Sequence, residues 1–181
     1  LTPAIRWAED NELIVRIGAH PGVLPPSVPA GTDQEKNLWT PGIYDSVTVI
    51  LADNPVIESV QVAPRLPSSD ILIETRLRNY GPDRSLTLTH RLRGGAATRP
   101  EKLHLAEGAT AVSRQVLPIP KARLWSPDDP FLYTLETSTG GDSLSTRFGM
   151  REFRFDTPTK RAYLNGRPIF LRGSNITLHR F

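Results

Sequence analysis

The sequence contains no cysteine and one methionine, and aromatic residues make up 7% of it. Without thiols there can be no disulfide, no thiolate nucleophile and no cysteine-ligated metal, so the redox compartment stays open. No apolar stretch approaches the roughly 20 residues that a membrane span requires. The opening residues, LTPAIRWAED, lack an initiating Met, a basic start and an apolar core. They are not expected to be a signal peptide, and the chain is expected to be cut at both ends. Charge of either sign is also in short supply as a patch. The 22 basic and 19 acidic residues leave a net +3, with a pI near 9.5. The bases are dispersed, as where Arg91 and Arg93 flank Leu92, the look of a solvated sheet face. Nucleic-acid binding needs basic residues clustered on one face and is not expected.

What the sequence does have is punctuation. Its 17 prolines and 13 glycines across 181 residues favour short strands joined by turns over long helices. NELIVRIG (residues 11–18) alternates around Leu13, Val15 and Ile17. A Pro- and Gly-rich stretch without periodicity follows over residues 19–42, and YDSVTVIL (44–51) restores alternation through Val47, Val49 and Leu51. Asp53-Asn54-Pro55 is a turn signal and the first expected domain boundary. Beyond it VIESVQVAP aligns Val56, Glu58, Val60 and Val62 on one row. DILIETRLRN aligns Ile71, Ile73, Thr75 and Leu77, and SLTLTHRLR aligns Leu86, Leu88, His90 and Leu92. A weaker run lies near Leu103 and Leu105. TAVSRQVLPIP, FLYTLETS and LSTRFGMREFRF complete the set, the last with Phe153 and Phe155 on one face. About seven short strands over roughly 100 residues are the pattern of an immunoglobulin-like β-sandwich.

Chemistry is sparse. None of His20, His90, His104 and His179 is spaced so that two imidazoles could share a metal from one element. His90 continues an apolar row and reads as a core histidine with a hydrogen-bond partner. There is no Gly-x-Ser-x-Gly elbow and no phosphate-cradling glycine loop. A glycosidase pair needs two carboxyls about 5 to 9 Å apart across a sugar. Asp33 and Glu35 fall in the long loop, and Asp128-Asp129 are expected to satisfy their own turn backbone. Glu152 and Asp156 sit four residues apart on an extended segment, roughly 13 Å along the backbone. No opposed pair emerges, so no catalytic residue, metal or cofactor is assigned.

In LWSPDDPFLYTL (124–135), Trp125 is held extended by the Ser-Pro that follows, and Asp128-Asp129-Pro130 turns the chain into an aromatic strand. This predicts a packing wedge. The alternative is a sugar-stacking platform. RAYLNGRPIFLRGSN (161–175) carries Asn165-Gly166, the dipeptide of two-residue hairpin turns, whose central residues both need φ > 0. Pro168 to Leu171 then form an apolar run of the kind buried on both faces of a parallel or barrel strand.

Taken together, LWSPDDPFLYTL, RFGMREFRFD and YLNGRPIFLRGSN resemble the central module and barrel entry of glycoside hydrolase family 2, the β-galactosidase, β-glucuronidase and β-mannosidase group. LWTPGIYDSVTVIL (38–51) is similar to the segment leaving that family's sugar-binding jelly roll. The resemblance implies an all-β layout in three parts. Residues 1–52 are the C-terminal part of a jelly roll, 53–155 the immunoglobulin-like sandwich, and 156–181 the lead-in hairpin and first strand of a (β/α)8 TIM barrel.

The resemblance also implies a function: an accessory fragment of a retaining exo-β-glycosidase acting on terminal β-linked sugars, β-galactosidase-like. The fragment is expected to be inactive because the family's two glutamates come from later barrel strands. Arg172, Gly173 and Asn175 match the family's Arg-Gly-x-Asn at the end of that first strand. Arg172 and Asn175 are thereby implied to line the sugar pocket with a following histidine, here His179, although ITLHRF spaces it further from Asn175 than the commoner pattern. For Arg172 a salt bridge inside the barrel mouth is the alternative. The partner implied is a carbohydrate substrate, held through the barrel; no nucleic acid and no membrane are expected. Two rival readings remain: a stand-alone β-sandwich binding carbohydrate or protein, and a structural spacer.

Overall fold

A computed structural model describes residues 5–15, 25, 43 and 45–173. The chain divides into two units, one of residues 1–49 and 175–181 and one of residues 50–174.

The described part of the first unit contains no strand. Its order is local: Asn11 accepts from the Arg6 N–H at 2.9 Å and returns its own amide to the Arg6 carbonyl, also at 2.9 Å. Leu13, Val15, Val47 and Val49 are all exposed, as is Leu51 at the start of the second unit. The strands expected at 11–18 and 44–51 are therefore absent over their described residues. Alternation prepares a segment for a sheet, but a strand forms only when a neighbour takes its backbone hydrogen bonds, and no described residue pairs with either one.

The second unit is built from antiparallel strands, with no helix among the described residues. Seven make the sandwich: β1 (Val56–Arg65), β2 (Asp70–Arg78), β3 (Arg84–Leu92), β4 (Glu101–Leu105), β5 (Thr110–Pro118), β6 (Tyr133–Ser138) and β7 (Ser143–Phe148). One sheet is ordered β1-β2-β5 and the other β4-β3-β6-β7. The chain crosses between sheets after β2, β4 and β5, while β1–β2, β3–β4 and β6–β7 pair within a sheet, as in an immunoglobulin-like fold. β4 pairs with β3, Leu86 opposite Leu103, which makes the second sheet the wider.

The rows expected on β2 and β3 point inward: Ile71, Ile73, Thr75 and Leu77 have no exposure, and Leu88 and His90 have none. The row on β1 is different. The register shifts between Ile57 and Ser59, a β-bulge that inserts one residue and reverses facing. Ile57, opposite Leu77, is buried in place of Val56 and Glu58, while Val60 and Val62 keep the expected side.

The interior is not uniformly apolar. Ile71, Ile73, Leu92, Leu117, Ile119, Leu135, Phe148 and Met150 form one cluster. Ile57, Leu77, Leu86, Leu88 and Leu105 form a second. Along β2 the residue separating them is Thr75, and along β3 it is His90. A polar belt thus crosses the core. His90 Nδ1 lies 2.9 Å from Thr137 Oγ1 on β6 of its own sheet, and Nε2 lies 3.5 Å from Thr75 Oγ1 in the facing sheet. Burial drives the imidazole pKa down to about 4, opposed by the carboxylate of Glu101, because the charged ring would lose its water.

One end of the sandwich is closed by a second polar side chain. Fully buried Asn79 directs its amide to the carbonyls of Pro82, Leu105 and Ala106 at 2.9 to 3.0 Å. Its oxygen accepts from Gly81 N–H at 3.0 Å and from the Asn54 amide. Among the described residues no buried side-chain nitrogen or oxygen lacks a partner, as a native interior requires.

A third sheet follows: β8 (Phe153–Asp156), β9 (Arg161–Leu164) and β10 (Arg167–Ile169), in the order β10-β9-β8. Asn165 and Gly166 have φ of 52° and 76°, so the β9–β10 turn is the expected two-residue hairpin with both central residues left-handed. Two expectations change here. Phe153 and Phe155 belong to this sheet, not to the last strand of the sandwich, because β8 pairs with β9, Phe155 opposite Ala162. The run after Pro168 is not enclosed: Phe170 is 82% exposed and Leu171 54%, since no second layer covers it among the described residues.

Candidate functional site

Of the three residues implied to line a sugar pocket, Arg172 is described and Asn175 and His179 lie outside the described residues. Arg172 is exposed, just beyond β10, in a segment without regular structure. No ion pair of Arg172 is found among the described residues.

Two of the candidate carboxylates, Asp129 and Asp156, are committed elsewhere. Asp129 does not serve only its own turn, as expected: it holds Arg123 through two contacts of 2.6 and 2.8 Å. That hydrogen-bonded guanidinium keeps the Asp129 carboxyl below its ordinary pKa. The turn itself closes through Ser126 and Asp129, whose N–H groups each donate to the other's carbonyl at 2.9 and 3.2 Å. Asp156 accepts from Thr159 and Arg154 and is likewise lowered, chiefly by the Thr159 hydroxyl. Asp33 and Glu35 lie outside the described residues.

Among the described residues, three surface grooves can be compared, and none of these three offers two opposed carboxylates. One, of about 830 Å³, runs along the outer face of the wider sheet over Ser85, Thr87, Lys102, His104 and Ser138, and has no carboxylate on its wall. A second of about 550 Å³ holds Glu101 between Arg99 and Arg114. Glu101 already accepts from the Gln115 amide at 2.7 Å, and the Ser113 hydroxyl donates to the same oxygen. The third, about 310 Å³, has Asp53 alone, which sits 4.0 Å from Arg84. Hydrolysis with two carboxyls across a sugar has no place in any of these grooves. No group of three or more His, Asp or Glu residues fit for a metal occurs among the described residues.

The most constructed feature is the joint between the sandwich and the third sheet. Trp125 donates its N–H to the Met150 carbonyl at 2.9 Å. Its indole rests on Gly149, where a Cβ would come within 2.8 Å of Trp125 Cβ, so that position must be glycine. The guanidinium of Arg151 lies 4.4 Å from the ring centroid, a cation–π contact. With one ring face so occupied and the side chain half-buried, Trp125 is the expected wedge rather than a sugar platform.

From the hairpin turn, Asn165 reaches back. Its amide donates to the Trp125 carbonyl at 2.9 Å, its oxygen accepts from Glu152 N–H at 3.0 Å, and its own N–H donates to the Glu152 carbonyl at 2.9 Å. Sequence reasoning saw only the turn-forming role, because any Asn-Gly would signal that.

Comparison with known proteins adds the family. The profile described as Glycosyl hydrolases family 2 matches residues 55–151, the span of the sandwich. Among solved structures, a β-galacturonidase from Eisenbergiella tayi is 24% identical with a TM-score of 0.56, over 62% of this chain and 20% of that one. An exo-chitosanase from Amycolatopsis orientalis is 19% identical with a TM-score of 0.56, over 70% and 17% of the two chains. A β-glucuronidase from Bacteroides uniformis is 26% identical with a TM-score of 0.50, over 63% and 15%. The matched region spans a fifth or less of each of these enzymes. No curated protein sequence matches.

Proposed function

This chain belongs to the glycosyl hydrolases family 2, and from that premise we propose that it is the accessory part of a retaining exo-β-glycosidase, holding a catalytic barrel in position for terminal β-linked sugars. The observation that carries the proposal is the pairing of a family match over residues 55–151 with three grooves, among the described residues, that lack two opposed carboxylates. The parts follow the layout the motifs imply, with the one boundary moved: 1–52 ends a jelly roll, the sandwich follows from residue 53 and ends before β8, and β8 onward leads into the barrel, with Arg172, Asn175 and His179 reaching its mouth. In the parent, two barrel glutamates would supply acid/base and nucleophile through a covalent glycosyl intermediate, without a redox cofactor.

A β-galactosidase-like specificity is one member of this class. The similar solved structures are named as a β-galacturonidase, an exo-chitosanase and a β-glucuronidase, so the test must span several sugars. Residues 1–181 are assayed with aryl β-galactosides, β-glucuronides and β-galacturonides, beside a parent protein that includes a barrel. The parent is expected to turn over at least one substrate and the 181-residue chain none. Turnover by the purified short chain would overturn the accessory reading. Saturable binding of a monosaccharide to one of the grooves would favour a binding module instead.

A further inference from the structure

We infer that Asn165 is a positioning residue: it locks the three-stranded β8–β10 sheet onto the sandwich in one orientation, and so fixes the direction in which the chain leaves β10 toward Arg172. The inference deepens the accessory reading, on which its functional meaning rests.

Three segments meet at this one side chain. The Trp125 carbonyl belongs to the sandwich, since Trp125 N–H is bonded to Met150 O, 2.9 Å away, and Met150 is fully buried in the larger apolar cluster. Glu152 lies in the connection between β7 and β8. Asn165 is the first residue of the β9–β10 turn. The side chain spends its donor on the first segment, at 2.9 Å, and its acceptor on the second, at 3.0 Å. A hairpin turn as such needs neither bond; glycine satisfies a left-handed φ at no steric cost. The two bonds therefore act between segments and not within the turn. β8 follows Phe148 by only four intervening residues, Gly149 to Arg151 and Glu152, and the first three of these are occupied by the Trp125 contact, whose ring sits on Gly149 and under Arg151. The swivel is thus closed from both sides: by the indole at the sandwich end and by Asn165 at the hairpin end.

The test separates turn from lock. Asn165→Gly keeps the φ of 52° and removes both side-chain bonds, whereas Asn165→Asp keeps the acceptor for Glu152 N–H and loses the donor to Trp125. Residual dipolar couplings of the 181-residue chain are measured for β1–β7 and for β8–β10. The native chain is expected to fit a single alignment tensor. Asn165→Gly is expected to need two, with amide exchange at Glu152 faster by about tenfold, the effect of losing a hydrogen bond or two, and with the β9–β10 cross-strand contacts intact. Asn165→Asp is expected to fall between them. A single shared tensor in Asn165→Gly with unchanged exchange would overturn the inference, as would a native chain that already needs two. Should the glycine variant lose its hairpin contacts, the aspartate variant decides by the same couplings. Activity in a parent that includes the barrel reports on the accessory reading by itself: an inactive parent sinks that reading and leaves the lock to the couplings.

Discussion

Strands β3 and β8 carry the same period-two signature and meet opposite fates. Leu86, Leu88, His90 and Leu92 of β3 disappear into the interior, Leu88 and His90 with no exposure at all. Phe153 and Phe155 of β8 pack edge to face against each other with ring centroids 5.1 Å apart, yet remain 46% and 72% exposed. The larger side chains have the poorer burial. β3 faces a second sheet across the core, whereas the three-stranded sheet has no opposing layer among the described residues. Apolar alternation makes a strand; only an opposing layer turns it into stability.

The comparison can be broken most severely from the β3 side. Leu88→Ala removes a side chain with no exposure from the smaller apolar cluster and is expected to cost about 3 to 5 kcal/mol, since the cavity cannot collapse between two sheets. A urea denaturation curve reads it directly, and a loss below about 1 kcal/mol would mean that the two clusters are not one cooperative core.

Next comes acid. The buried His90 has its pKa depressed from 6.5 to about 4. Between those values the unfolded chain takes up a proton that the folded chain refuses, so stability is full above pH 6.5 and falls as the pH drops toward 4. The total loss is at most about 3.5 kcal/mol at 1.36 kcal/mol per pK unit. Asp70, Asp129 and Asp156 act below that window, because their carboxyls are lowered from 3.8 by Arg65, Arg123 and Thr159 respectively. Their contributions fade only as the pH falls through the carboxylate range. Replacing the imidazole by His90→Gln should flatten the slope between pH 6.5 and 4.5; an unchanged slope would place the titration elsewhere.

The joint is intermediate. Trp125→Ala deletes a half-buried indole together with its Arg151 contact, and about 2 kcal/mol is expected, less than for a wholly enclosed tryptophan. Thermal melts with and without galactose or glucuronate give the value, and unaltered melting with loss of sugar binding would restore the platform reading. The smallest effect should come from β8. Phe155→Ala is expected to change stability by no more than about 0.5 kcal/mol, the range of surface substitutions; a loss as large as that of Leu88→Ala would show that a layer covers β8.

Much of this was legible beforehand where the signal is local. The rows on β2 and β3, the hairpin at Asn165-Gly166 and the wedge at Trp125 follow from alternation, left-handed turn chemistry and the Ser-Pro constraint. The bulge after Ile57 was not legible, because an inserted residue leaves the composition of the strand untouched while reversing its faces. Nor was the partner of Asp129, since the turn backbone at Ser126 is nearer in sequence than Arg123. The implied pocket residues show the same limit: a motif can nominate Arg172, but an exposed arginine beyond β10 becomes part of a site only when other side chains converge on it.

The sequence by itself determined that this is an all-β chain of short strands, with turns at fixed places and family 2 motifs in order. Those properties depend on the local conformational preferences of a few neighbouring residues. Tertiary structure alone decided that β4 joins β3, that β8 leaves the sandwich for a sheet of its own, that Thr75, His90 and Thr137 form one belt, and that Asn165 ties a hairpin to Trp125. Each of these joins residues distant in sequence, whose hydrogen bonds and burial exist only once two layers or two segments have met.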